Sequence, residues 1–184
     1  MNFTSIDLEL DQPSNRIIQL GAVIGNMNTG EILEKVSYII KYPDKLNPFI
    51  VTLTGITDEL IATEGIDLHD AYLQLKELHK KHNCYMNPIT WGGGDSAELK
   101  AELETDPRFI PTEWCFGRRW IDCKTVFLTL AFGAELKTQS GLAKSMVRSG
   151  LRFNGRKHWA TDDALNTFIL YRHLVKSMPK GIIK

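Results

Sequence analysis

Near Asp67 the spacing of apolar residues changes from the alternation of strands to the roughly 3.6-residue period of helices, and that change limits the folds open to the chain. Over the first 42 residues, segments 3–10 (FTSIDLEL), 16–25 (RIIQLGAVIG) and 31–42 (EILEKVSYIIKY) read as strands, with 26–30 supplying turn residues between the last two. This is an antiparallel meander. From Asp67 the pattern is helical, with Leu68, Ala71, Tyr72, Leu75 and Leu78 recurring on one face as far as His82. The apolar stretch 84–91 then reads as a buried strand, broken by Gly92, Gly93 and Gly94 before a helix that starts near Asp95. A last strand is expected around Trp120, and 123–132, 140–149 and 161–176 carry helical periodicity. A meander followed by alternating helices and strands predicts an α/β fold: a central mixed five-stranded sheet with helices on both faces.

With 184 residues and 43% hydrophobic content, the chain can bury one full core, and no repeat or Gly/Ser/Pro-rich linker divides it. A single domain over 1–184 is expected. The 22 Lys and Arg balance 22 Asp and Glu, which excludes a global positive field, so any nucleic-acid contact must be local. Cys84, Cys115 and Cys123 are odd in number and widely spaced, without a C-x-x-C pair, which fits a reducing, cytoplasmic setting. The first residues lack a basic stretch followed by an apolar one, and nowhere do 18 uncharged apolar residues run together, so no membrane association is expected.

The acids give the chain its chemistry. On the first strand Ser5, Asp7 and Glu9 share one face and Ile6, Leu8 and Leu10 the other. The Cβ atoms of Asp7 and Glu9 should lie roughly 6.5 Å apart, close enough to repel unless a cation lies between or beside them. A solvated edge strand is the ordinary alternative for such a pair. Asp95 follows a glycine run where a strand gives way to a helix, and with Glu98 it could form a capping box. Strand ends that face helix starts are also where α/β sheets hold ligands. The third cluster, His158-Trp-Ala-Thr-Asp162-Asp163-Ala164, precedes the last helix, where aspartates favour the macrodipole and Thr161 could serve as cap.

In this order the pieces resemble the DEDDh family of 3'-to-5' exonucleases, of ribonuclease H-like fold. The first motif is Asp7-Leu8-Glu9, the second Asp95 after a strand, and the third H-x-A-x-x-D-A, matched by His158, Ala160, Asp163 and Ala164. Leu53-Thr54-Gly55-Ile56-Thr57, read as a loop, and Gly141-Leu142 with Gly150-Leu151 extend the likeness, whose character is closest to the Eri-type and ribonuclease T exoribonuclease branch. Leu10 departs from the pattern, since many members carry Thr there.

The resemblance implies two divalent cations, Mg2+ or Mn2+, with Asp7 bridging them, Glu9 and Asp163 on the first and Asp95 supporting the second. His158 would be the general base, and Asp163 is preferred over Asp162 for its spacing from His158. Oxygen ligands suit Mg2+, and a paired-ion site stabilises the attacking and leaving oxygens of an in-line phosphodiester displacement. The implied substrate is single-stranded RNA or DNA with a free 3' end, released as nucleoside 5'-monophosphates. By the same likeness Leu53 would press on the terminal base with Leu8 or Leu10 nearby, core packing being the alternative for each. A DNA exonuclease of repair type and a non-catalytic nucleic-acid-binding module are the rival functions. Arg148, Arg152, Arg156 and Lys157, and separately Arg118 and Arg119, could hold phosphates or form solvated faces. A homodimer would place a basic patch of one subunit beside the site of the other and offset the neutral charge. His79, His82 and Cys84 have no second cluster at a zinc-like spacing.

Overall fold

The computed structural model describes residues 1–133 and 140–178. Three long strands open the chain: β1 (Asn2–Leu10), β2 (Ile17–Asn26) and β3 (Ile32–Ile39). They pair antiparallel, with Asp7 opposite Gly21 and Gln19 opposite Ile39. Two short strands, β4 (Ile89–Thr90) and β5 (Ile121–Asp122), join in parallel, and the sheet order is β3-β2-β1-β4-β5. The strand carrying Asp7 and Glu9 is therefore central, not an edge. β4 is much shorter than the expected 84–91 strand. Pro88, which has no N–H to give a ladder, limits it, and Cys84 makes only an isolated bridge to Asn2.

Among the described residues seven α-helices complete the fold: α1 (Pro48–Thr54), α2 (Asp58–Glu64), α3 (Leu68–Lys81), α4 (Asp95–Leu103), α5 (Cys123–Phe132), α6 (Leu142–Arg148) and α7 (Ala160–Ser177). On one face of the sheet Ile6, Leu20 and Ala22 pack with Tyr72 and Leu75 of α3 and Leu99 of α4. On the other, Phe127 of α5, Met146 of α6 and Phe168 of α7 close a second cluster, so helices cover both faces as expected.

The segment read as a loop at 53–57 is instead the end of α1 and a tight turn into α2. Each helix has seven residues. Their ends are marked. Asn47 caps α1 by accepting from the Phe49 N–H, Pro48 fills the first turn, Gly55 closes it at φ 66°, and Thr57 caps α2 through the Leu60 N–H.

The seating of α7 sets the position of the third cluster. Gln19, Gly21, Val23 and Gly25 share one face of β2, and the start of α7 lies against it. A Cβ on Gly21 would come within 2.2 Å of the Ala160 carbonyl carbon and the Thr161 nitrogen, so only glycine admits the helix at this depth. The Ala160 N–H donates to Gln19 Oε1 at 3.0 Å and the Thr161 hydroxyl to the Val36 carbonyl at 2.8 Å. Thr161 thus fastens α7 to β3 and does not cap it. Farther along, the Phe168 ring fills the space that Gly25 leaves open, and burying such a ring stabilises by ~1.5–3 kcal/mol.

Candidate active site

Alternation on β1 sends Asp7 and Glu9 to the face covered by α7, while Ile6 lies in the α3–α4 cluster. Asp163, in the first turn of α7, meets them there. Its Oδ2 accepts the His158 backbone N–H at 3.1 Å, and one ligand atom each from Glu9, His158 and Asp163 lie within 4.8 Å of one another. His158 itself holds a left-handed backbone at φ 57°, which turns the exposed loop 154–158 into the helix. Asp95 begins α4 directly after the glycine run. The expected capping box is absent: Gly94 occupies the cap position, and no side-chain cap bond forms. The Asp95 carboxyl lies outside the Glu9–His158–Asp163 group, but its charge acts on Asp7 and it feels the pull of the Leu8 N–H.

The charges in this group strongly oppose one another. Burial first, then the fields of Asp95, Asp163 and Glu9, push the Asp7 carboxyl well above the ordinary range. Glu9 is raised to about 8 by burial and then by Asp163 and Asp95, with Arg156 opposing. Burial raises Asp95 to about 6 against the pull of backbone N–H groups, including that of Leu8, and raises Asp163 to about 6 against the pull of His158. A cation beside such carboxyls would favour their ionised forms. Several carboxylate oxygens with one imidazole at the rim fit Mg2+ or Mn2+ rather than a thiolate-seeking metal.

The neighbouring acid does something else. Asp162 Oδ2 accepts the Arg156 N–H at 2.8 Å, and its carboxylate lies where a side chain on Gly155 would stand. It shapes the loop, leaving Asp163 to the cluster.

Of the three leucines, Leu8 and Leu10 pack against the α3–α4 cluster, away from the acids. Both are half-buried there. Leu53 is 37% exposed on α1, and Phe49, one turn earlier, is 67% exposed. Phe49 escaped the sequence reading because α1 did; its i, i+4 spacing from Leu53 between Pro48 and Gly55 was the available signal. Lys144 was missed as well. With Lys157, Leu142 and Phe153 it lines a groove of about 320 Å³ that reaches His158 and Asp163. Arg148 and Arg156 are engaged elsewhere, over the rings of Phe132 and Trp159 respectively. His79 bonds Thr4 at 2.8 Å and His82 bonds Glu34 at 2.8 Å, and among the described residues the only candidate metal group is Glu9, His158 and Asp163.

Known proteins bear directly on this arrangement. The family model for RNase T, described as an exonuclease, matches residues 4–171, a span that runs from β1 through the third cluster. The chain belongs to this exonuclease family. Among curated relatives, ERI1 exoribonuclease 2 of Mus musculus is 27% identical over 89% of the chain, and its Homo sapiens counterpart 24% over the same share. The chain spans about a quarter of their length, 26% in each case. The nuclease domain of 3'hExo, a DEDDh family member bound to rAMP, superposes with a TM-score of 0.76 at 19% identity, covering 95% of this chain and 92% of that one. S. pombe Pop2p in its Mg2+- and Mn2+-bound form gives 0.68 at 16% identity, over 100% of this chain and 85% of that one. The fold of this chain is the ribonuclease H-like one of these nucleases, and its sequence is similar to the Eri-type exoribonucleases.

Proposed function

We propose that this chain is a two-metal-ion 3'-to-5' exonuclease that shortens single-stranded nucleic acid, RNA in preference to DNA, and releases nucleoside 5'-monophosphates. The observation that carries the reading is the convergence of Glu9, His158 and Asp163 on one spot, with Asp7 and Asp95 within the field of these acids. Two divalent cations held by the four carboxylates would supply charge neutralisation and Lewis acidity at the scissile phosphate. His158, exposed beside Glu9 and Asp163, takes the proton of the attacking water. Phe49 and Leu53 offer a flat apolar surface to the terminal base, and Lys144 and Lys157 offer cations to the backbone along the groove. The preference for RNA is supported by the ERI1 exoribonuclease 2 relatives.

Matched RNA and DNA oligonucleotides labelled at the 5' end, with the 3' end free or phosphorylated, test the reading. Stepwise shortening of the free-ended RNA, faster than of DNA and hindered by the 3' phosphate, is expected. Cleavage from the 5' end or at internal positions would overturn the polarity, and faster DNA shortening would overturn the sugar preference. A homodimer belongs to the same proposal, as a way to bring basic surface to the site of a neutral chain; a monomer mass by light scattering would remove it.

A further inference from the structure

The loop that carries His158 is exposed from Asn154 to His158, yet it is tied down on two sides. Toward α7, the Asn154 N–H donates to Asn166 Oδ1 at 2.9 Å and the Arg156 N–H to Asp162 Oδ2 at 2.8 Å. Toward the α1–α2 pair, the Arg156 guanidinium donates through Nη2 to the Thr54 carbonyl, at the end of α1 and one residue past Leu53. It also lies 5.2 Å over the Trp159 ring, and Trp159 packs into the cluster of Ile50, Ile56 and Ile61 under the two short helices. Gly55 leaves the space that the guanidinium occupies. His158 therefore sits between two residues, Arg156 and Trp159, that both grip the element bearing Phe49 and Leu53. Arg156 is thereby withdrawn from the phosphate-holding role open to it in the sequence.

We propose that Arg156, with Trp159, ties the α1–α2 turn to the His158 loop, so that seating the 3'-terminal nucleoside against Phe49 and Leu53 sets the position of the histidine. The inference rests on the exonuclease reading and makes Arg156 a positioning residue. Its physical basis is that a displacement of about 1 Å in a catalytic group lowers a rate by about 100-fold, so a single tie of this kind acts on kcat as well as on binding.

The test compares kcat at saturating Mg2+ on an RNA with an ordinary 3' end and on one whose terminal residue is abasic. In the unaltered chain the abasic end should lower kcat about tenfold or more. Arg156→Gln should lower kcat on the ordinary end about 10- to 100-fold and abolish the further loss on the abasic end. Arg156→Lys keeps the charge near Glu9 and one donor for the Thr54 carbonyl, so part of the terminal-base effect should return. Amide exchange supplies a readout independent of turnover: in Arg156→Gln, residues 53–56 and 155–159 should lose protection together. Loss confined to 155–159, or an unchanged terminal-base effect in Arg156→Gln, would overturn the coupling. Failure of the unaltered chain to shorten any oligonucleotide would instead overturn the exonuclease reading beneath it.

Discussion

At the scale of single residues, His158 and Asp163 divide the work at the rim of the site. The carboxylate of Asp163 fixes the loop through the His158 N–H while its remaining lone pairs face Glu9 and the cluster. Removal of the histidine leaves the acids in place, so His158→Ala should lower kcat by about 10²–10⁴-fold while Mn2+ binding, followed by calorimetry, stays within a few-fold of the unaltered chain. Loss of metal binding on that substitution would make the histidine a ligand first. Asp162 serves as the internal control. Its carboxylate is committed to the Arg156 N–H, so Asp162→Asn should retain far more activity than Asp163→Asn, even though the two lie side by side. That division could only be guessed from spacing, because neighbouring residues at a helix start differ in direction, not in kind.

At the scale of elements, the depth at which α7 meets the sheet places Asp163. Gly21→Ala would drive a methyl into the backbone at Ala160 and Thr161, and the expected cost is ~1–3 kcal/mol, read as a lower denaturant midpoint at unchanged slope. Activity should fall further than stability explains, since any retreat of α7 carries Asp163 and His158 with it. An unchanged midpoint would mean that the helix already stands off the strand. The strands β1–β3 and the helices α3 to α7 were legible from their apolar runs and the spacing of their apolar residues. α1 and α2 were not; Asn47, Pro48, Gly55 and Thr57 announced their ends without announcing the helices. β4 misled in the other direction: its apolar run was real, but Pro88 restricts its pairing to Ile89 and Thr90. The role of Asp95 turned on a similar detail, because Gly94 took the cap position that the sequence offered to the aspartate.

At the scale of the whole molecule, the mutually opposed acids of the site are a source of instability that a bound cation would relieve. The raised carboxyls bind protons in the folded state that they release in the unfolded one, between the ordinary carboxylate range and about pH 8, where Glu9 titrates. Their contribution to stability is thus present in acid and lost as pH rises through that window. Without divalent metal, thermal unfolding should move to lower temperature between pH 5 and pH 8. Mg2+ or Mn2+ at pH 8 should reverse the shift, and Asp7→Asn should reduce it in EDTA. A metal-free chain whose stability is flat or rising over that range would show that the acids are not held against one another. The neutral balance of 22 cations and 22 anions adds a second constraint, because only local cations such as Lys144 and Lys157 can carry the salt dependence of substrate binding. The most direct test of the account is the shortening of a 5'-labelled RNA by the unaltered chain and by Asp163→Asn, each in Mg2+ and in EDTA. The account predicts a ladder of products only for the unaltered chain in Mg2+; a ladder that persists in EDTA or in Asp163→Asn would contradict it.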